Sequence, residues 1–240
     1  MRATLCLFAY NGLTGGTHLS ILGESLVWPE LVHRVQGNDA LISRARSKVA
    51  SWFLQEENVG DVLMMIDHDI SWQQGDLRHI AEQALEGRAV VAGIYPKRAF
   101  GKGFPVIFTD DVEGEYQIGR EGLIAARYVS TGFIAIHRAV LEQLASTLPK
   151  VNVADEGEEY WPFFLPMLAE QGEDVSYLSE DWAFCVRARE AGFRIYASTR
   201  PRLEHEGTHT YRMADARVQI PPKVDIKFKF EPKSALVVAH

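Results

Sequence analysis

The sequence predicts an α/β protein with a central, mostly parallel sheet flanked by helices and a smaller mixed or antiparallel extension. Two apolar runs, Thr4 to Tyr10 and Val62 to Ile66, each stop at a turn or at charged residues, as strands covered on both faces do. Between them, apolar residues recur at helical spacing from Leu41 to Phe53. A chain of 240 residues with 47% hydrophobic residues can fill one sizeable core, so we expect one main domain.

Composition argues against several classes of function. The formal net charge of −7 disfavours a surface built to neutralise a nucleic-acid backbone. Cys6 and Cys185 show no metal-binding spacing and are expected as small buried residues in a reducing compartment. The apolar run at the start is too short for a signal peptide or a membrane anchor. We therefore expect a cytoplasmic protein without a membrane span.

The first strand leads into a loop that is a candidate ligand site. It ends at the turn dipeptide Asn11-Gly12, and ligands of open α/β sheets bind beyond the carboxyl ends of the strands. The next helix begins at Asn38 or Asp39, either of which can cap it. Arg44 and Arg46 lie off its apolar stripe and are not expected to face the core.

The second strand, Val62 to Ile66, delivers the triplet Asp67-His68-Asp69 to its carboxyl end. A helix is predicted from Gln74 to Glu86, closed by Gly87, and a third strand from Ala89 to Ile94. Strands that alternate with helices in this way indicate an open parallel sheet.

The second half of the chain is less regular and predicts the mixed extension. Short strands are expected at Val106–Thr109, Tyr116–Ile118, Ala126–Ser130 and Arg194–Ser198, and helices at Arg138–Leu148 and from Ser179 to Gly192. Beyond a Pro-Pro break, residues 224–230 alternate apolar and charged side chains, which indicates a half-buried terminal strand.

Three side chains are candidate metal ligands. Asp67 and Asp69 can serve one hard cation, because Mg²⁺ and Mn²⁺ prefer oxygen ligands and share them with substrate phosphates. His205 follows the last core strand in a polar loop, and its imidazole would favour Mn²⁺ over Mg²⁺. Capping of a turn is the alternative role for the two aspartates, and the competitors of His205 are His209, Glu204 and Glu206.

Glu180 and Asp181 are the candidate acid–base groups. They open a helix, where the positive end of the helix dipole keeps carboxylates ionised. One of them can take a proton from an acceptor hydroxyl. Ordinary helix capping, with Ser179 at the cap position, is the alternative interpretation.

Together and in this order, the motifs resemble glycosyltransferases of the GT-A fold, close to the family-two-like group and to small phage-encoded members. The resemblance runs from Thr4 to about Tyr211 and rests on Phe8-Ala9-Tyr10-Asn11, Arg44-Ala45-Arg46, Met65-Ile66-Asp67-His68-Asp69, Tyr95-Pro96-Lys97-Arg98, Ser130-Thr131-Gly132-Phe133, residues 179–187, Gly192 and His205. It implies a GT-A (Rossmann-like) domain over residues 1–212. Residues 213–240 are then a C-terminal extension: an edge strand, an oligomer contact or an acceptor arm.

The resemblance also implies which residues hold the nucleotide. Ala9, Tyr10 and Asn11 would contact the base and ribose, and Asp67 would lie on the ribose or metal side. His68 belongs to the same nucleotide-binding group, although the middle residue of an extended turn is expected to point away from the ligand.

For the metal and the sugar, the resemblance implies a second set of residues. Asp69 and His205 would bind the metal, with Asp67 as a further ligand. Thr131 and Gly132 would line the sugar pocket, where the missing side chain of Gly132 would let the sugar approach the backbone.

The remaining assignments concern catalysis and the diphosphate. Asp181 would be the general base of an inverting reaction, and Glu180 would lie beside the sugar or the acceptor. Arg44 and Lys97 would contact either the diphosphate or the acceptor.

The implied function is metal-dependent transfer of a sugar, favoured as a hexose, from a nucleoside-diphosphate sugar to an acceptor hydroxyl, with Mn²⁺ or Mg²⁺ as cofactor. A UDP-sugar is the favoured donor, although the chain lacks the proline-rich lead and early acidic residue that many family-two enzymes carry after the first strand. The acceptor is left open among a glycan, a small molecule, a protein and a modified DNA base. Alternatives are a nucleotidyltransferase acting on a sugar phosphate and a catalytically silent nucleotide- or carbohydrate-binding protein.

Overall fold

The computed structural model describes residues 1–10, 12–37, 39–152, 157–171, 174–207, 209–216 and 227–230. The strands are β1 Ala3–Phe8, β2 Leu31–Gln36, β3 Val62–Asp67, β4 Ile70–Ser71, β5 Val90–Gly93, β6 Ile107–Phe108, β7 Gly114–Gln117, β8 Leu123–Tyr128, β9 Phe133–His137, β10 Val151–Asn152, β11 Glu159–Tyr160, β12 Met167–Gln171, β13 Asp174–Leu178, β14 Ile195–Ser198, β15 Glu204–His205 and β16 Lys227–Phe230. The helices are α1 Gly15–Val27, α2 Ile42–Gln55, α3 Asp76–Gly87, α4 Arg138–Thr147 and α5 Glu180–Glu190, with a short 3-10 helix at Met213–Ala216.

Eight strands form one sheet in the order β2-β1-β3-β9-β5-β14-β8-β6. β1 is parallel to β2 and β3, and β5 is parallel to β14. β9 is antiparallel to its neighbours β3 and β5, and β8 is antiparallel to β14 and β6. Six of these strands therefore point one way and two the other. The α/β class with a mostly parallel central sheet and small antiparallel additions is confirmed.

Alternating side chains divide the core into two layers. In β1, Cys6 and Phe8 belong to one apolar cluster and Leu5 and Leu7 to the other. Helices α2, α4 and α5 pack on the first cluster, whereas α3 packs on the second together with Trp28 at the end of α1. Helices thus cover both faces, which is why the inner strands are continuous apolar runs in the sequence.

The first half of the chain contains three elements that the sequence analysis does not predict: α1, β2 and the two-residue strand β4. The expected series of three strands and two helices is present as β1, α2, β3, α3 and β5, but α1 and β2 are inserted between the first strand and α2. Helix α2 begins at Ile42, later than expected. Asp39 lies before it and accepts a hydrogen bond from the backbone N–H of Leu41 at 3.0 Å. Asn38, the other proposed cap, lies outside the described residues.

The end of α3 also differs from the prediction. Gly87 is its last helical residue, and Arg88 takes the left-handed conformation with φ of 45°. The backbone N–H of Arg88 closes the helix by bonding to the carbonyls of Ala84 and Leu85. The residue that reverses the chain is therefore an arginine rather than the glycine before it.

The second half contains the predicted elements to within a few residues, but the sequence analysis does not predict the strands β9, β10, β11, β12, β13 and β15. Four two-stranded sheets accompany the main one: β10 with β11, β12 with β13, β15 with β4, and β16 with β7. β16 contains residues 227–230 of the predicted terminal strand, whose residues 224–226 lie outside the described part. No helix among the described residues combines the length and hydrophobicity that a membrane crossing needs.

Candidate functional site

A cavity of about 530 Å³ opens where β1, β2, β3 and β5 end. Its wall includes Tyr10, Asp39, the triplet Asp67-His68-Asp69, Tyr95, Lys97, Arg98, Ser130 and His205. This is the carboxyl edge of the parallel strands, where the sequence predicts a ligand site. A groove of about 640 Å³ near α5 and β14 is larger but contains none of the predicted site residues. The chemistry therefore favours the smaller cavity.

Asp69 and His205 meet on the cavity wall although 136 positions separate them in sequence. Backbone pairing between β4 and β15 joins the two segments, with His205 opposite Ile70. The Oδ2 atom of Asp69 lies 3.5 Å from Nε2 of His205 and 2.9 Å from Nη1 of Arg98. The other ring nitrogen of His205, Nδ1, lies 3.0 Å from the carbonyl oxygen of Pro96. Because a carbonyl only accepts, Nδ1 carries the proton of this hydrogen bond.

Asp69 is held ionised by its neighbours. Its side chain is only 5% exposed, and this burial by itself would raise the pKa of the carboxyl. The hydrogen bond and charge of His205, together with the charges of Arg98 and His68, outweigh burial and hold the pKa of Asp69 below its usual range. The cavity wall therefore presents a fixed negative charge.

A buried arginine connects the aspartate triplet to α5. Nη2 of Arg46 lies 2.6 Å from Oδ1 of Asp67, and Nη1 lies 2.7 Å from Oε1 of Glu180. The Arg46 side chain is 4% exposed, and its Nε has no hydrogen-bond partner among the residues that the structure describes. Burial would lower the pKa of this guanidinium, but the charges of Asp67 and Glu180 raise it. The prediction that Arg46 lies off the core-facing side of α2 is therefore wrong.

Gly132 leaves room for two side chains of the cavity wall, those of Tyr95 and Asp67. A Cβ atom at this position would lie 2.5 Å from the hydroxyl of Tyr95 and 3.0 Å from Oδ2 of Asp67. The Tyr95 hydroxyl donates to Oγ of Ser130 at 2.6 Å, and burial followed by the charge of Asp67 raises the tyrosine pKa. Neither Gly132 nor Thr131 lines the cavity, whereas Ser130 does. Tyr95 and Asp67 fill the space beside Gly132, and the role of Thr131 and Gly132 in a sugar pocket stays a prediction.

The hydroxyl of Thr131 is buried and has no hydrogen-bond partner within the described part of the chain. The residue is 1% exposed. A buried hydroxyl without a partner carries the cost of its lost hydration.

Asp181 is held at the start of α5 by local contacts. Its Oδ1 accepts a hydrogen bond from the backbone N–H of Trp182 at 2.9 Å and contacts the hydroxyl of Ser179. Ser179 occupies the cap position, but its hydroxyl makes no capping bond to the backbone. Asp181 and Glu180 lie outside the cavity wall, and Glu180 reaches the site through Arg46.

The other residues predicted to contact the nucleotide-sugar divide into two groups. Tyr10, 58% exposed, lines the cavity together with Lys97 and with His68, which was expected to point away. Ala9 and Arg44 are not part of the wall; Arg44 instead donates two hydrogen bonds of 2.9 Å to Asp39. Asn11 lies outside the described residues.

The described residues contain no group of three or more His, Cys, Asp and Glu side chains arranged to hold a metal ion. Asp69 and His205 supply two adjacent ligand atoms that suit Mn²⁺. The remaining metal ligands would have to come from a substrate diphosphate and water. One oxygen of Asp67 is bonded to Arg46 and the other faces Gly132. Its role as a metal ligand stays a prediction.

The sequence analysis missed three contributors to this site. Asp39 was considered only as a helix cap, and Tyr95 and Arg98 only as parts of one motif. All three line the cavity. Each follows a predicted strand or precedes a predicted helix. Proximity to the carboxyl edge of the sheet is therefore the signal that could have identified them.

Neither a protein-family model nor a curated protein sequence matches the chain. Among solved structures it is similar to A197 from STIV, with 18% identity, a TM-score of 0.57, and coverage of 92% of this chain and 98% of that one. This likeness supports the α/β fold. A UTP-bound UGPase from Acinetobacter baumannii gives 7% identity, a TM-score of 0.45 and coverage of 85% and 88%. An apo UDP-glucose pyrophosphorylase gives 11% identity, a TM-score of 0.40 and coverage of 85% and 76%.

Proposed function

We propose that this protein is a metal-dependent glycosyltransferase of the GT-A type that transfers a sugar from a nucleoside-diphosphate sugar to an acceptor hydroxyl. The observation that carries the proposal is the pair Asp69 and His205. Nδ1 of His205 donates to the carbonyl of Pro96, which turns Nε2 towards a carboxylate oxygen of Asp69 at 3.5 Å. An imidazole nitrogen beside a carboxylate oxygen is a ligand pair that suits Mn²⁺, and both residues line the cavity of about 530 Å³.

The charges around this pair suit a diphosphate. Lys97 and Arg98 lie on the same wall, and Arg98 already contacts Asp69. A bound Mn²⁺ or Mg²⁺ would act as a Lewis acid that neutralises charge on the leaving diphosphate. Asp69 and His205 would hold that ion, while Lys97 and Arg98 would bind the outer phosphate oxygens.

Asp181 is the proposed general base and Tyr10 the proposed contact to the nucleotide. Tyr10 offers an exposed ring at the end of β1, where it can stack on a base. Asp181 would receive the proton of the acceptor hydroxyl, and its bond to the Trp182 N–H fixes the carboxylate orientation. Glu180 is proposed as a neighbour of the sugar or acceptor that Arg46 holds in place.

A nucleotidyltransferase acting on a sugar phosphate is the alternative, and one contact weighs against it. Such an enzyme would use the first turn of α1 to bind a triphosphate. The carboxylate of Glu206 already occupies this place, because a Cβ on Gly16 would overlap it. The backbone N–H of Glu206 bonds to the carbonyl of Asp69 at 2.7 Å, which fixes the loop there.

Thermal denaturation with a panel of nucleotide-sugars, each with and without Mn²⁺, tests the proposed function. A ligand that binds only the folded state raises its melting temperature. We expect a UDP-sugar to do so more strongly with Mn²⁺, and Asp69→Asn to remove the Mn²⁺-dependent part. Release of nucleoside diphosphate from the same donor measures turnover.

Asp110→Asn is the matched control, because its side chain is 61% exposed and lies outside the cavity wall. It should behave as the wild type in both measurements. Equal Mn²⁺ dependence in Asp69→Asn and the wild type would refute the metal site. Release of pyrophosphate from a nucleoside triphosphate and a sugar phosphate would support the alternative instead. Donor binding without any turnover would indicate the catalytically silent binding protein.

A further inference from the structure

Helix α1 exposes an apolar stripe to solvent. Leu19, Leu22 and Leu26 are 68%, 51% and 82% exposed, and their spacing of three and four residues places them along one side of the helix. A surface helix normally turns its apolar stripe to the core and charged residues outwards. From Gly15 to Val27 the chain has one charged residue, Glu24, whose side chain is fully buried. The outer side of α1 therefore carries no Asp, Glu, Lys or Arg.

The inner side of α1 is polar and is satisfied within the fold. The hydroxyl of Thr17 donates to the carbonyl of Ile70 at 2.9 Å, and that of Ser20 donates to the carbonyl of Trp72 at 2.9 Å. Glu24 accepts hydrogen bonds from the backbone N–H groups of Gly75 and Arg78. These contacts anchor the helix without any contribution from the three leucines. The stripe is thus not needed to attach α1 to the sheet.

The stripe continues onto β2, the outermost strand on its side of the sheet. Ser25 of α1 lies 3.3 Å from His33 of β2, and Val35, two residues along the strand on the same face, is 61% exposed. β1 and β2 are parallel, so a helix that connects them is expected to run opposite to β2, and Leu22, one helical turn before Ser25, is then expected near the level of Val35. The helix and the strand are each about 20 Å long, and side by side they are about 17 Å wide, so together they form a patch of roughly 350 Å². Patches of this size are often functional.

We propose that the surface formed by Leu19, Leu22, Leu26 and Val35 joins two copies of this chain around a two-fold axis. In such an isologous contact each patch meets itself, so any charge would face a like charge. An apolar patch free of charged side chains avoids that repulsion and is self-complementary. A standard partner contributes about 800 Å² and the patch supplies roughly half of this, so the dimer should depend on protein concentration.

Two other occupants fit the surface less well. Helices that lie on membranes usually carry Lys or Arg beside the apolar side, but α1 has neither, and the net charge of −7 would repel anionic lipid. β16 of the same chain pairs with β7, and its Phe228 contacts Phe108 of β6, at the opposite end of the sheet order from β2. Seven strand spacings of about 4.8 Å separate β6 from β2, so β16 lies too far away to cover the surface on α1 and β2.

The test compares two leucines of equal exposure. Leu19 on α1 and Leu168 on β12 are both 68% exposed, so replacing either by Asp should cost the fold little. Molar mass is measured by light scattering after size-exclusion chromatography over a dilution series, and circular dichroism checks the fold. The wild type and Leu168→Asp should rise from one chain mass of 27.0 kDa towards two with concentration. Leu19→Asp should remain at one chain mass at every concentration, because two new carboxylates would meet across the two-fold axis.

Three outcomes would overturn the dimer. One is a wild type that stays at one chain mass at every concentration. Another is a dimer that Leu19→Asp leaves intact while Leu168→Asp dissociates it. The third is a monomer that co-floats with phosphatidylcholine vesicles in a manner that Leu19→Asp abolishes, which would assign the stripe to a lipid surface. None of these measurements depends on the proposed transferase activity, so the two proposals fail separately.

Discussion

At the scale of single residues, Arg46 has the strongest structural role in the site. It places one positive charge between Asp67, at the end of β3, and Glu180, at the start of α5. Its planar fork reaches both carboxylates at once and its face lies 5.5 Å from the ring of Phe8. Removing the guanidinium would leave two partly buried carboxylates without their cation, which is the costly way to break a buried ion pair.

We therefore expect Arg46→Met to lower the free energy of unfolding by about 3–5 kcal/mol. Arg44→Met in the same helix is the control: the Arg44 side chain is 31% exposed, and we expect a loss of about 1 kcal/mol or less. Urea denaturation measures both. Should Arg46→Met fail to fold, Arg46→Lys keeps one charge but cannot bridge both carboxylates, and donor binding should weaken. Equal losses from Arg44→Met and Arg46→Met would contradict the bridging role.

At the scale of elements, α1 shows why hydrophobic periodicity can fail. Its buried positions are Thr17, Ser20 and Glu24, and three exposed ones are leucines, so the pattern that normally identifies the core-facing side is inverted. The polar residues make their contacts with β4 and with the start of α3, which no local pattern reveals. α2 and α3 have ordinary apolar faces and were predicted with small errors at their ends.

The start of α3 contains a second buried carboxylate, Asp76, beside Glu24. Burial, reinforced by the charge of Glu24, raises the pKa of Asp76 to about 6 from 3.8, against the hydrogen bonds from the N–H groups of Arg202 and Gln73. Between these two pH values the folded protein keeps a proton on Asp76 that the unfolded chain has lost. Stability therefore falls as pH rises through this window, by at most about 1.4 kcal/mol per pH unit.

Asp76→Asn should remove this pH dependence. The variant should gain stability relative to the wild type between pH about 4 and pH about 6, and keep that gain at higher pH. Urea denaturation at a series of pH values gives the difference in free energy of unfolding. A difference that does not change with pH would show that Asp76 ionises normally in the folded protein.

At the scale of the whole molecule, the C-terminal strand is joined to the core. Phe228 of β16 is 1% exposed and its ring lies 5.6 Å from that of Phe104 and 5.5 Å from that of Phe108. The division of the chain into residues 1–212 and 213–240 stays a prediction, as does an oligomer contact through the C-terminal segment. The position of Phe228 supports a strand that stabilises the larger domain.

Phe228→Ala tests this arrangement. Truncating a buried phenylalanine typically costs about 3–5 kcal/mol, whereas Phe100→Ala, at a position 56% exposed, should cost about 1 kcal/mol or less. Thermal and urea denaturation compare the two variants. A loss from Phe228→Ala as small as that from Phe100→Ala would mean that the C-terminal strand contributes little to the fold.

The sequence by itself determined the α/β class, most of the helices, the main-sheet strands β1, β3, β5 and β14, and the edge of the sheet at which the site lies. These follow from local rules, because buried strands are apolar runs and their carboxyl ends gather polar residues. The tertiary structure decided the placement of α1, β2 and β9, the burial of Arg46, and the meeting of Asp69 with His205. Each of these depends on contacts between residues distant in sequence. No local pattern records such contacts, because the physical cost of a buried charge is offset only by the partner that folding brings to it.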